Sequence, residues 1–397
     1  MAADTATPSR WTEALSHEMR RHGDALADAA LARMLQDGEI NRIEEIFRGL
    51  NTNDSTAPHT GYPSLKGFVE STHHLPDFVD LQRISRAEEI FIRNAFPITL
   101  ILLAKSLPEG YSAPNLSLIL NVSGNLRAHP YHRLLSVLQM VLNVASLGGF
   151  RHGGSALITA QKVRLLHAGI RHIIDGRMPQ YRAEHGIPVN LEDMLATIMG
   201  FSYLVITGMR ILHCSLTRDE EEDLFYLWRV FALLCGIHPP DEPENMAWIP
   251  DSVDDAAVFY ASYAKRHFTD ADRNPDGVAL AQANLSMLRD MIPPIPRRFG
   301  LGLAPRVYML HLAGVDACRR VGIASIPGHT LLKRILDFLP RVWYAISRSV
   351  TSAESALGMH PRHSFSRLLF QHLIDDAFGH SVTFTVPVTI TDFHKMV

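Results

Sequence analysis

Lys162-Val-Arg-Leu-Leu-His-Ala-Gly-Ile-Arg-His172 is the stretch on which the fold and the chemistry of this chain turn. Its apolar neighbours, Leu165, Leu166, Ala168, Ile170, Ile173 and Ile174, predict a half-buried helix over about Ile158 to Asp175, ended by Gly176. At 100° per residue, Arg164, His167 and Arg171 fall within roughly 60° of one face. An imidazole thus stands between two guanidinium groups. Two cations on a half-buried face need anionic partners, and an imidazole beside cations stays neutral and able to bind metal. Haem meets both needs, with an iron for the histidine and two propionates for the arginines. Carboxylates of neighbouring helices meet the first need equally well, with the histidine merely hydrogen-bonded. Spacing leaves both readings open.

The same helical period runs through most of the 397 residues. It predicts two or three helices over Trp11–Leu50, then helices over Ser85–Leu107, Pro130–Ala145, Asn190–Leu212 and Thr217–Cys235. Three more follow over Asp255–His267, Val278–Met291 and Ala304–Val321. Thr217 with Glu220 has capping-box spacing, and Glu220-Glu-Glu-Asp223 sets acids against the positive end of a helix dipole. Gly200 and Gly208 weaken the helix that holds them, which points to close helix packing. Only Ser381–Ile390 alternates like a strand, with Pro387 marking an edge. The expected fold is all-α, a single large helical domain with at most a short strand segment near the C-terminus.

Composition excludes several function classes. The net charge is −3, which offers no basic field for nucleic acid. Cys214, Cys235 and Cys318 are isolated, so neither a disulfide framework nor a structural zinc site is expected, and a reducing, cytoplasmic setting fits. No signal peptide is visible, and Phe96–Ala104 is too short to cross a bilayer. His129 and His132 stand three apart but lack a third ligand, and His73-His74 reads as exposed loop. No nucleotide fingerprint or Ser/His/Asp order is present.

Further segments carry a family likeness. They are Ser106-Leu-Pro-Glu-Gly-Tyr111, His132-Arg-Leu-Leu-Ser136, Gly186-Ile-Pro-Val-Asn-Leu-Glu-Asp-Met194 with Phe201-Ser202, and Leu227-Trp-Arg-Val230 with Cys235-Gly-Ile237. In this order and spacing, the chain resembles the catalytic domain shared by latex clearing proteins, the bacterial rubber oxygenases, and the fungal oxygenase of mycophenolic acid biosynthesis. The resemblance covers about residues 70 to 330. It implies an all-α domain over 61–397 enclosing haem b, preceded by a helical extension over 1–60. It also implies His167 as the iron ligand, Arg164 and Arg171 as haem-region arginines, and His172 near the propionates. Arg133, with His132, Ser136 and Val137, is implied to line the distal side, where Arg133, Ser136 and His132 are the candidate catalytic residues.

Two departures from the rubber-cleaving pattern stand out. Ser136 and Val137 replace a lysine and a threonine, and Tyr111–Leu126 contains no acid where a catalytic glutamate belongs. The expected function is therefore a haem b-dependent oxygenase that uses O2 on an apolar, unsaturated, isoprenoid-like molecule other than polyisoprene. A peroxidase or peroxygenase, or a non-catalytic haem sensor or carrier, is the alternative. A monomer or weak oligomer is expected, with no nucleic-acid partner and no transmembrane segment.

Overall fold

Thr12 and Asp24 open the first two helices, α1 (Glu13–Arg20) and α2 (Ala25–Gln36), by accepting hydrogen bonds from the N–H groups of Leu15 and Ala27. The computed structural model describes residues 9–42, 52–53, 63–122, 130–214, 216–292, 294–298, 300–326 and a few positions between 338 and 345. The side chains of residues 41, 42, 122 and 130–136 are outside that description. Every regular element among the described residues is helical, as the periodicity predicts. The strand-like stretch Ser381–Ile390 lies outside the described residues.

After α3 (Pro63–Thr72) and α4 (Leu81–Arg93) the chain turns by 81° into α5 (Ala95–Ile101). One helix over Ser85–Leu107 was expected here, and two residues break it. Asn94 donates its side-chain N–H to the Ile90 carbonyl at 2.8 Å, and Pro97 has no N–H to offer the carbonyl four residues back. A π-helical turn over Leu102–Ser106 then leads into α6 (Leu107–Gly110), followed by α7 (Pro114–Val122).

Next come α8 (Pro130–Ala145), α9 (Ala156–Arg177), the short α10 (Tyr181–His185), α11 (Leu191–Phe201) and α12 (Tyr203–Ile211). The break between α11 and α12 falls at Ser202 rather than at either glycine, and its hydroxyl donates to Ile198 O at 2.8 Å. Gly208 serves close packing: a Cβ there would overlap the side chain of Ile101 on α5. The stretch Leu191–Ile211 is long and apolar enough to cross a membrane, yet most of it is buried inside the protein.

The expected capping box starts α13 (Arg218–Leu234), with Thr217 and Glu220 exchanging hydrogen bonds. The chain continues through α14 (Val253–His267), α15 (Pro275–Asp290), α16 (Pro294–Arg298), α17 (Ala304–Leu312) and α18 (Gly314–Arg320). The single helix expected over Ala304–Val321 is split because Gly314 takes a left-handed φ of 86°. Helix α13 runs through the main core, where Phe225, Leu227, Trp228 and Phe231 are buried and Trp228 stacks on Phe201 at 5.2 Å. Its neighbours include α4, while α2 packs on α9 and α3.

Candidate functional site

Helix α9 has a continuous row at helical spacing: Ala156, Ala160, Val163, His167, Ile170 and Ile174. The first three belong to the main core, and Ile170 and Ile174 to a smaller cluster with Ile119 of α7 and Tyr181 of α10. His167 sits at the seam between them. It is half-buried, while the apolar members of the row on either side are buried. The imidazole is therefore the one polar group in a row otherwise committed to the interior.

The two arginines beside it have partners within the protein. Arg164 donates to Asp24 through Nε to Oδ2 at 2.5 Å and through Nη2 to Oδ1 at 2.9 Å. Arg171 donates from Nε to Asp28 Oδ1 at 2.7 Å and from Nη1 to Val189 O at 3.3 Å. Asp24 caps α2 and Asp28 lies one turn further along it. The carboxylate reading of these arginines is the one the structure shows, so their charges do not call for propionates. Burial pushes the Asp24 carboxyl up, but the charge and hydrogen bonds of Arg164 outweigh it and hold the group below its usual range. At Asp28 burial prevails over Arg171, and the carboxyl is raised.

Glycines make room for both pairs. A Cβ on Gly236, whose φ is 86°, would lie 3.2 Å from Asp24 Oδ2. One on Gly23 would lie 3.2 Å from Arg171 Cδ. His172 is not brought to the same face. It is exposed and, five residues on, roughly 140° around the helix from His167.

Helix α8 supplies the other candidates. His132, Arg133 and Ser136 lie on its first turns, and their side chains are outside the described residues. Val137 is half-buried, and Met140 and Val144, on the face its spacing assigns to Arg133 and Ser136, are buried in the core that also takes Ala156 and Ala160 of α9. By helix rise, residues 133–137 lie roughly 12–18 Å from the end of α8 nearest the link to α9. His167 lies roughly 16 Å from that link along α9.

The segment from Gly186 to Met194 has a structural task that spacing did not reveal beyond its cap. Gly186 takes a φ of 79°, and a Cβ there would lie 2.9 Å from Arg20 O. Asn190 caps α11 by accepting from Asp193 N–H at 2.9 Å. Asp193 Oδ1 accepts from Arg20 at 2.9 Å, Asn115 at 2.6 Å and the Tyr263 hydroxyl at 2.9 Å. Fully buried Glu192 accepts from Ser16 and Arg266, each at 2.6 Å, and pairs with His267 at 3.0 Å. Burial, its largest influence, raises the Glu192 carboxyl, yet His267, Ser16 and Arg266 together hold it down to about 2. One acidic pair thus ties α11 to α1, α7 and α14. The only sequence signal was two adjacent acids at the head of a very apolar helix.

Other features are separate from this site. A cleft of about 560 Å³ between α4 and α13 is lined by charged side chains, including Arg83, Arg86, Arg93, Glu220 and Asp223. Arg83 and Arg86 share Asp223 at 2.8 and 2.6 Å, and Arg93 pairs with Glu220. No α9 residue lines it. Cys214, Cys235 and Cys318 are buried free thiols, each pushed up by burial, to about 11, 12 and 12.

The fold and the sequence have known counterparts. The structure of latex clearing protein LCP in the closed state superposes with a TM-score of 0.68, covering 91% of this chain and 90% of that one at 17% sequence identity. The rubber oxygenase of Streptomyces sp. (strain K30) is 21% identical over 322 residues, spanning 79% of this chain and 73% of that protein. The family described as "ER-bound oxygenase mpaB/B'/Rubber oxygenase, catalytic domain" matches residues 100–336, more than half of the chain, and takes in α6 to α18 with the His167 row. The chain belongs to this family, and it is an oxygenase.

Proposed function

We propose that this oxygenase depends on haem b, holds the iron through His167, and acts with dioxygen on an apolar, unsaturated small molecule other than polyisoprene. The observation that carries the reading is the single half-buried imidazole in the apolar row of α9. A bare transition metal needs three or four protein donors. Among the described residues no group of three His, Cys, Asp or Glu could hold one. One imidazole suffices where a porphyrin brings the other donors, and apolar walls suit its flat face. When bound, haem supplies the redox chemistry with dioxygen.

The protein's own residues bind, orient and exclude water. Val163, Ile170 and Ile174 flank the imidazole with apolar surface. Arg164 and Arg171, clamped by Asp24 and Asp28, stop α9 from turning about its axis and so hold the direction in which His167 points. Arg133, with Ser136 or His132, is assigned the substrate side, where it would donate hydrogen bonds to developing negative charge. The apolar substrate class is supported by the rubber oxygenase relative. Ser136, Val137 and the acid-free stretch 111–126 argue against polyisoprene itself.

The visible spectrum of the purified, haem-supplied protein is the test. A Soret band that His167→Ala abolishes or greatly weakens is expected. Full haem retention with an unchanged spectrum in that variant would overturn the ligand assignment. Oxygen uptake with a short terpenoid, with and without peroxide, separates an oxygenase from a peroxygenase and from a carrier.

A further inference from the structure

The link between α8 and α9, residues 146–155, reads Ser-Leu-Gly-Gly-Phe-Arg-His-Gly-Gly-Ser. So many glycines would ordinarily make a slack connection. Here it is pinned from two sides. From α4, the buried Glu88 accepts the Gly148 N–H on Oε2 at 2.7 Å. A backbone amide bonded to a buried carboxylate is a strong anchor.

The second pin is Asn53, far away in sequence. Its Nδ2 donates to Gly149 O at 2.9 Å and to Arg151 O at 2.7 Å, and its backbone N–H donates to Gly154 O at 2.7 Å. Its Oδ1 accepts from the N–H groups of Leu157 and Ile158, at 3.1 and 3.4 Å. One side chain therefore joins the link to the first turn of α9 and satisfies amides that an N-cap would otherwise serve. Ser155, which stands at the N-cap, does not bond them, because its hydroxyl donates to Asn143 O on α8 at 3.0 Å.

The glycines themselves leave no room. A Cβ on Gly154 would overlap the carbonyl oxygens of Gly148 and Gly149, and one on Gly149 would lie 2.7 Å from Val144 O. Gly148 and Gly153 take φ of 76° and 75°. The two helices thus leave a rigid junction. A small pivot there is magnified along roughly 12–18 Å of helix before it reaches residues 133–137 and His167.

We propose that Glu88 and Asn53 are positioning residues for the cofactor site, setting the placement of α8 relative to α9 and with it the space available beside His167. The proposal rests on the reading of His167 as the haem ligand. Neither residue touches cofactor or substrate. Both act through the junction, and displacements of the size it controls are those that cost a site its geometry.

The test uses the full-length chain loaded with haem and held well below its melting temperature. Asn53→Asp keeps the acceptor for Leu157 and Ile158 but removes the donors to Gly149 and Arg151. Glu88→Leu removes the acceptor for Gly148, whereas Glu88→Gln keeps one. The readouts are the Soret position, cyanide affinity and the rate of haem transfer to an excess of a haem-scavenging protein. Asn53→Asp and Glu88→Leu should shift the band and change cyanide affinity and haem loss about tenfold, the scale of one hydrogen bond. Glu88→Gln should stay close to wild type. A merely structural role would lower the melting temperature without moving the spectrum of the haem that remains bound. Wild-type spectra and cyanide affinity in both disruptive variants would overturn the proposal, and if Glu88→Leu does not fold, Asn53→Asp decides. A wild-type chain that takes up no haem overturns the haem reading and this proposal with it.

Discussion

Arg164 and Asp24 form a two-pronged ion pair inside the protein, Nε to Oδ2 at 2.5 Å and Nη2 to Oδ1 at 2.9 Å, although 140 residues separate them. Asp24 also caps α2 through Ala27 N–H, so one carboxylate sets both the start of α2 and the rotation of α9. Removing it leaves a buried guanidinium uncompensated. Asp24→Ala should cost about 3–5 kcal/mol of stability. The double variant Asp24→Leu/Arg164→Met should lose clearly less than either single variant with its partner left in place. Chemical denaturation of the four proteins measures this, and equal losses in single and double variants would contradict it.

Glu192 predicts an acid limb. Its folded-state carboxyl lies near 2 against an ordinary value of 4.5, so its contribution is complete above about 4.5 and is lost as pH falls toward 2. The full amount is on the order of 3 kcal/mol. Glu88 and Asp28 are raised by burial and slope the opposite way, so the comparison of wild type with Glu192→Gln isolates the effect. Stability measured between pH 5 and 2 should fall more steeply in wild type, and parallel curves would refute the assignment.

The two glycines of α11 and α12 should behave oppositely. A Cβ on Gly200 finds only Ser106 Cβ at 3.8 Å, an ordinary contact, so Gly200→Ala should add about 0.5–1 kcal/mol through the helix backbone. Gly208→Ala drives a methyl into Ile101 and should cost about 1–3 kcal/mol. Melting temperatures moving in the same direction would disprove the pairing.

Latex should be a poor substrate and a short terpenoid a better one. Ser136, Val137 and the missing acid in 111–126 change the side of the site proposed to face the substrate, while the His167 row is untouched. Oxygen uptake on both materials decides it, and rapid cleavage of latex to carbonyl-ended oligomers would sink the prediction.

Period and capping made the helices legible. Thr217 with Glu220, Asn190 with Asp193 and the span Pro130–Ala145 follow from local chemistry, and the structure places them accordingly. Breaks were less legible. At Ser202 and Gly314 the apolar period continues across the interruption, and at Asn94 the break rests on one side-chain bond to Ile90 and the missing N–H of Pro97, which the apolar period masks. The Arg/His/Arg face of α9 could be read from spacing, but not the identity of the arginines' partners, since Asp24 and Asp28 are more than 130 residues away. The exposure of His172 follows from the helical angle alone, which the family likeness overrode. Asn53 carried no signal, because its value lies in a loop it meets only after folding.

Glu192 draws its partners from both directions along the chain, Ser16 and Arg20 before it and Arg266 and His267 after it. On the ribosome, order of arrival gives this asymmetry a meaning. Leu191–Ile211 emerges as 21 residues apolar enough to enter a bilayer, before α14 has been made. Its acidic head is then without Arg266 and His267, but Ser16 and Arg20 already exist. Helix α1, made before that segment, can therefore pair with its acidic head and turn it inward while translation continues. Chains lacking α1 would release that segment without Ser16 and Arg20 to meet Glu192, with insertion or aggregation during synthesis as the consequence.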